Sequence, residues 1–425
     1  MKKAFSIVSL VLAASMAFVG CSKKATGPAV DVEIWHTYNG AQHECLNELA
    51  EKFNASQTKY NVKVMSQDSS GFANYVYNAV ANGIGPSIIF NYGSTAVDYA
   101  NEGLALDIKP FIEADAKAGD KSLQKIIDSL PEATKTEVYG FADGGIYYLP
   151  GATTGPVFFY NKTIYDSLGL SAPKTWEELA RNSKTVYEKK GIPGFYSDGL
   201  VDNLQSLIMQ NGLGYIDVKN KSVSFCTPKM VEIYQWYADN CKKGYFEFNT
   251  VGRYASEDLV NCDVASFSGS CVNDQYIQMV NGNELGMAPM ISAIGDKAFY
   301  TGWNRGPVMF KRSEAVDKGT YEFIKFFFQP ENNAAWTKAN SALSPYGTTQ
   351  ELASYKEYLS TLPATSALPC VQANMKYSGS FPNVTGSAQI RNLIVEYLNS
   401  VVDNRMTAED AVKQLEAACN KALQQ

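Results

Sequence analysis

Asp143-Gly-Gly-Ile-Tyr-Tyr-Leu-Pro-Gly-Ala-Thr-Thr-Gly-Pro-Val-Phe-Phe-Tyr-Asn-Lys162 is the stretch on which the division of this chain turns. It carries Gly144, Gly145, Gly151 and Gly155 with Pro150 and Pro156, between two blocks of aromatic and β-branched residues. Ile146 to Leu149 and Val157 to Tyr160 read as two short extended segments. The Gly/Pro/Thr run between them forbids a continuous helix and permits positive φ at several points. Such a run can carry the chain from one lobe to another, bring backbone N–H groups close to a ligand and absorb a hinge rotation. An ordinary β-turn is the plainer alternative.

Outward from that stretch, the 425 residues exceed one small core, and at roughly 100–200 residues per domain they imply two. Before it, Val30 to His36 alternates as a strand, and Gln42 to Phe53 sets Leu46, Leu49, Ala50 and Phe53 on one helical face. Tyr60 to Met65 is a second strand, Phe72 to Asn82 a helix, Pro86 to Tyr92 a third strand and Ala96 to Glu102 a helix. This alternation implies an α/β fold with a mainly parallel sheet, whose ligands bind outside the carboxyl ends of the strands. Trp35, His36, Asn91, Tyr92 and Gly93 sit at such ends.

After it, Thr175 reads as the N-cap of a helix with Glu177 and Glu178 in its first turn. Helices follow at Asn203 to Asn211 and Pro228 to Lys243. A strand at Asn261 to Cys271 runs into Ser268-Gly-Ser270, a candidate second crossing. Strands at Leu285 to Ser292 and Gly302 to Lys311 come next, and Gly302-Trp-Asn-Arg-Gly-Pro307 is a candidate third crossing. Thr320 to Phe328, Pro330 to Ala339, Ser387 to Asn399 and Thr407 to Leu423 then read as helices.

Hydrophobic residues make up 45% and charged residues 19%, which suits a buried core rather than disorder. A formal charge of −6 leaves no basic footprint, so nucleic acid is excluded as the natural partner. Lys2 and Lys3 precede an apolar run, Phe5 to Val19, ending in Phe18-Val-Gly-Cys21 and a polar tether. This resembles a bacterial lipoprotein signal in which Cys21 becomes the lipidated first residue, although Phe18 stands where Leu is usual. No later run is apolar and long enough to span a bilayer. The other seven cysteines show no C-x-x-C; Cys241 and Cys262 are one candidate pair. Of the two histidines, His36 and His43, the latter lies near Cys45 at a spacing poor for a metal.

P-loop, G-x-S-x-G and H-E-x-x-H motifs are absent, which favours a binder over an enzyme, and no cofactor is implied. A glycosidase carboxylate pair stays open as the alternative, since 43 acidic residues allow many pairings. Arg391 falls in or near the first turn of a helix capped by Ser387 or Thr385. An anion there would meet a guanidinium fork and free N–H groups together; a solvated Arg paired with a carboxylate is the plainer reading.

Ile34-Trp-His36, Gly85-Pro-Ser-Ile-Ile-Phe90, Pro156-Val-Phe-Phe-Tyr-Asn-Lys162 and Pro173-Lys-Thr-Trp-Glu-Glu-Leu179, with the signal, resemble the extracellular solute-binding proteins of ABC importers. The resemblance runs from about Asp31 to the C-terminus. Within that group, Trp35-His36, Phe246-Glu-Phe-Asn-Thr-Val-Gly-Arg253 and Gln389-Ile-Arg391 are most similar to the glycerol-phosphate-binding members.

The resemblance implies a periplasmic-binding-protein-like fold, two α/β lobes closing on a solute by hinge crossings near 149–155, 266–271 and 302–308. On this reading 1–20 is the signal, 21–30 a tether, 31–148 with 270–306 the first lobe, and 152–268 with 308–425 the second. Arg391 would hold phosphate, Thr154 and Gly269 or Ser270 would contact ligand at the hinges, Trp176 and Trp303 would line the pocket, and Phe72 would open the ligand helix. Trp35, His36, Tyr92 and Gly93 complete the candidate set, and Trp236 and Trp336 are assigned to packing. Three departures reshape the pocket: Gly93 stands where an acidic hydroxyl acceptor is expected, Ala342 where a tyrosine is, and Phe72 in place of another tyrosine.

The implied function is a lipid-anchored, monomeric, non-enzymatic receptor at the outer side of the cell membrane. It would deliver a glycerol phosphate, a glycerophosphodiester or a sugar to an ABC permease.

Overall fold

The computed structural model describes residues 27–248 and 255–424. The signal, Cys21 and most of the tether lie outside the described residues, as does most of the Phe246–Arg253 motif. Strands β1 (Val30–His36), β2 (Tyr60–Ser66) and β3 (Ile88–Asn91) precede β4 (Ala152–Thr154) and β5 (Pro156–Asn161). Then come β6 (Phe195–Ser197), β7 (Phe246–Phe248), β8 (Ser266–Ser270) and β9 (Leu285–Pro289). A hairpin of β10 (Ala293–Ile294) and β11 (Lys297–Ala298) leads through β12 (Tyr300–Thr301) to β13 (Trp303–Met309), and β14 (Ser378–Gly379) pairs with β12.

Two five-stranded sheets result, β2-β1-β3-β13-β4 and β7-β6-β8-β5-β9. Each is mixed: β13 runs antiparallel to both its neighbours in the first, and β5 to both of its own in the second. The period-2 alternation of strand side chains explains how the first sheet is covered on both faces. Ile34, Ile88, Phe90 and Met309 enter one apolar cluster, while Trp35, Ile89 and Val308 enter the other. In the second sheet Val157, Phe158 and Phe159 are all buried, so β5 is a core strand on both faces.

The chain crosses between lobes at Thr154-Gly155-Pro156, where β4 continues into β5, and again at Gly302 between β12 and β13. A third crossing follows the helix Pro330–Ala339: Ala342 and Tyr346 pack in the first core, Leu343, Ala367 and Leu368 in the second.

Three expectations are corrected. Ser268-Gly-Ser270 is no crossing, because β8 and β9 belong to the same sheet. Its small residues serve close approach instead: a Cβ on Gly269 would lie 2.6 Å from Phe267 and 2.8 Å from Asp198. The partition changes accordingly. Most of 270–301 packs in the second lobe, whereas the end of β13 beyond Gly306 and the helices Glu314–Phe327 and Pro330–Ala339 pack in the first, with the start of β13 where it was expected. Asn261 to Cys271 is not one strand but the end of the helix Ala255–Asn261, a turn at Cys262 with φ of 61°, and then β8.

Ile146 to Leu149 forms only an isolated bridge, Tyr148 to Val308. The opposing Pro307 has no N–H to extend the ladder, and Leu149 N–H reaches its carbonyl at 3.4 Å. All seven described cysteines are free, so Cys241 and Cys262 are unpaired.

Thr175 caps the helix Trp176–Lys190: its hydroxyl accepts Glu178 N–H at 3.1 Å, and the Glu178 carboxylate accepts Lys174 N–H at 2.8 Å. Thr175→Ala should lower stability by about 1 kcal/mol in denaturant unfolding, with no effect at the cavity described next.

Candidate functional site

Between the lobes lies a cavity of about 380 Å³. The first lobe contributes Tyr92 and Ser94, just past the carboxyl end of β3, and Glu137 from the helix Glu132–Tyr139. Gly302, Trp303 and Asn304 come from the second crossing. The second lobe contributes Asp202 from the helix Leu200–Gln210, Ser380 and Phe381, and Ser387, Ala388 and Arg391 from the helix Ser387–Val402.

In its lining the Arg391 guanidinium reaches the Asp202 carboxylate at 3.3 Å and stacks over the Phe381 ring, 3.3 Å from its centre. Burial pushes the Asp202 carboxyl above its ordinary range, opposed by the Arg391 charge and by a hydrogen bond from Trp303. The helix bearing Arg391 begins without a side-chain cap: Gly386, with φ of 84°, precedes it, and neither Ser387 nor Thr385 takes the capping role expected of them. Ser387 is instead the first helical residue. Its Oγ is buried and has no hydrogen-bond partner among the described residues.

Glu137 lines the same cavity and is only 4% exposed. Asn304 Nδ2 donates to its Oε2 at 2.7 Å, Ser380 and the Gly93 N–H add hydrogen bonds, and the Tyr148 phenol lies beside it. Burial outweighs these and pushes its carboxyl up to about 7. Asn304 is itself fixed, its Oδ1 accepting from Thr153 at 2.7 Å and its carbonyl accepting from Tyr148. Gly93 carries no acid, yet its N–H holds one brought from another helix. A Cβ there would lie 2.9 Å from both Tyr148 and Asn383.

Of the candidate residues, Arg391, Trp303 and Tyr92 line the cavity, and Gly93 backs it through Glu137. Thr154 stands beside it, paired in register with Trp303, but is not among its lining.

The others lie elsewhere. Trp176 is a core residue, 2% exposed, donating to Gln210 Oε1 at 2.8 Å. Trp35 is buried against Tyr75, with ring centres 5.1 Å apart. His36 is buried, its Nδ1 accepting Tyr38 N–H at 3.0 Å and its Nε2 facing His43 at 3.2 Å. Burial, then the neighbouring His43, lowers its pKa to about 4, so it stays neutral. Phe72 packs against the first lobe's outer cluster, and the Asn91 side chain accepts Tyr92 N–H at 2.9 Å. Ser270 accepts from Val272 N–H, and Gly269 is packed as described above. Neither lines the cavity.

The sequence reading missed Glu137, Asp202, Asn304, Ser380 and Phe381. Asp202 sits one position before the helix read from Asn203, and its acidity was the available signal; nothing local marks Glu137. Among the described residues no group of three or more potential ligands could hold a metal ion.

Two α/β lobes, three crossings and a polar, aromatic-walled cavity between them define a solute-binding protein. The chain belongs to the bacterial extracellular solute-binding protein family, whose model matches residues 40–334. It is 27% identical over 325 residues, 72% of this chain and 73% of the relative, to the sn-glycerol-3-phosphate-binding periplasmic protein UgpB of Rhizobium meliloti strain 1021. To the UgpB of Pectobacterium atrosepticum it is 25% identical over 436 residues, covering 94% of this chain and 92% of the relative.

The fold matches the cyclic α-maltosyl-1,6-maltose binding protein of Arthrobacter globiformis, with a TM-score of 0.79, 19% identity and coverage of 93% and 99%. It also matches UgpB of Mycobacterium tuberculosis in complex with glycerophosphocholine, with a TM-score of 0.72, 18% identity and coverage of 94% and 99%. The chain is thus an exported solute-binding receptor that works with an ABC permease. Among the described residues no helix is long and apolar enough to cross a membrane.

Proposed function

We propose that this receptor captures a small phosphorylated solute, a glycerol phosphate or its diester, between its lobes and passes it unchanged to the permease. The observation that carries this reading is the start of the helix Ser387–Val402. There the helix begins without a side-chain cap, and Ser387, Ala388 and the guanidinium-bearing Arg391 line one cavity. The positive end of a 16-residue helix and a guanidinium fork both favour phosphate oxygens. Trp303 and Tyr92 supply aromatic walls for the carbon skeleton. The names of the relatives, which bind sn-glycerol 3-phosphate or glycerophosphocholine, point the same way. The receptor acts as a monomer tethered through lipid on Cys21, and binds without turnover.

Thermal-shift and calorimetric titrations with glycerol 3-phosphate, glycerophosphocholine and maltose test this. At a hundredfold excess over Kd a true ligand adds about 2.7 kcal/mol to stability. A shift with either phosphorylated compound and none with maltose is the expected result. A shift with maltose alone would replace the reading with a neutral-sugar receptor, and conversion of any compound to product would restore the enzyme alternative.

A further inference from the structure

We infer that Glu137 is the specificity residue of this cavity, accepting a hydrogen bond from a hydroxyl of the ligand whose phosphate Arg391 holds, so that the preferred solute is a polyol phosphate rather than a simple alkyl phosphate. The inference rests on the phosphate reading above and adds the chemistry of the other half of the ligand.

The two carboxylates of the cavity are held differently. Asp202 has a cationic partner in Arg391 and a donor in Trp303. Among the described residues Glu137 has neutral hydrogen-bond partners only: the Asn304 amide, the Ser380 hydroxyl and the Gly93 N–H. A buried carboxylate without a counter-cation is costly to keep, and a glutamine could satisfy much of the same network. Its oxygens together offer about four acceptor positions. The single proton of Tyr148 is already directed to the Asn304 carbonyl. Asn304, Ser380 and Gly93 therefore leave acceptor capacity on a group that lines the cavity.

Glu137 is also where the lobes converge. It belongs to the first lobe, Ser380 to the second, and its own carbonyl accepts Asn383 Nδ2 from the second lobe at 2.6 Å. A hydroxyl bound there is read by both halves at once. The charged and titratable groups around it are few. Tyr148 and Tyr346 are buried, which pushes both phenols far up and keeps them neutral. Tyr92 lies at the cavity edge, and Asp202 and Arg391 line the same cavity.

The test compares glycerol 3-phosphate with propyl phosphate, which has the same phosphate and carbon chain but no hydroxyl, by calorimetry on wild type and Glu137→Gln. Wild type should prefer glycerol 3-phosphate by about tenfold or more, and Glu137→Gln should reduce that preference, read as the ratio of the two affinities, about tenfold. In wild type the preference should rise between pH 5.5 and 8, because a donating hydroxyl favours the ionised carboxylate; the titration of the phosphate cancels in the ratio. This profile needs no variant, so it holds even where Glu137→Gln folds poorly. A preference that is flat with pH, or unchanged in the variant while both probes bind, overturns the inference and spares the phosphate reading. If neither alkyl phosphate binds wild type, the phosphate reading falls and this inference with it. If phosphocholine instead binds best and depends on Glu137, the group holds a cation and the hydroxyl assignment is wrong.

Discussion

Arg391→Ala should lower the affinity for glycerol 3-phosphate by about a hundredfold or more, the largest effect expected of any single change in the cavity. Truncating one member of a buried, hydrogen-bonded charge pair costs about 2–5 kcal/mol in binding. Two losses combine here. The phosphate loses its guanidinium fork, and Asp202, buried and otherwise supported by Trp303, is left with no cation beside it. The cavity wall then changes from a balanced pair to a carboxylate that either repels the ligand or takes up a proton. Its carboxyl, already above the ordinary range, should rise further.

Arg391→Ala combined with Asp202→Asn separates the two contributions. The double variant removes the uncompensated charge and should regain stability in denaturant unfolding, yet it should still bind glycerol 3-phosphate weakly. Recovery of affinity in the double variant would mean that Arg391 serves only to neutralise Asp202. The phosphate would then sit elsewhere. The stacking of the guanidinium on Phe381 makes a second contribution measurable: Arg391→Lys keeps the charge but loses both the planar stack and the fork, and should recover only part of the affinity.

The two lobes were legible in the sequence where side-chain periodicity is local. Val32 and Ile34 alternate in β1 while Leu46, Leu49, Ala50 and Phe53 share one helical face, and all six are buried as that pattern requires. Arg391, Trp303 and Tyr92 were legible because each follows a local marker: a helix start, a Gly/Pro crossing and a strand end. Glu137 was not legible, since its helix carries no motif and its role arises from Gly93, Asn304 and Ser380 approaching from three distant segments. Gly269 and Ser270 were misread for a related reason. A Gly/Ser run looks alike whether it frees a hinge or permits tight packing, and only the position of Asp198 and Phe267 tells which. The lobe boundaries failed similarly: whether β9 and β13 join one sheet or the other is decided by pairing across more than a hundred residues, β9 with β5 and β13 with β3.

Trp176→Ala should be the most destabilising of these substitutions, and it should leave ligand affinity nearly unchanged. The indole is fully enclosed in the second lobe's core, edge-on to Trp236 at 6.4 Å. Truncating such a side chain costs about 3–5 kcal/mol through lost burial and the void left behind. A further cost, about 1–3 kcal/mol, comes from orphaning Gln210 Oε1, which accepts the indole N–H. Gln210 cannot easily turn away, because its Nε2 donates to the carbonyls of Ile291 at 3.1 Å and Phe299 at 2.8 Å. Both costs fall on the far end of the helix Leu200–Gln210, whose first turn presents Asp202 to the cavity. Loss of the lobe could therefore be mistaken for loss of a ligand contact. Trp176→Phe resolves this, since it keeps an aromatic ring and most of the volume while removing the N–H. Denaturant unfolding should place it between wild type and Trp176→Ala, and calorimetry at 20 °C or below, where each variant is folded, should give ligand affinities within about twofold of wild type. A stable Trp176→Phe protein with strongly weakened binding would return Trp176 to the ligand, in a lobe arrangement different from the one seen. Its indole would then have to leave Gln210, and the Gln210 bonds that now fix the helix would have to break with it.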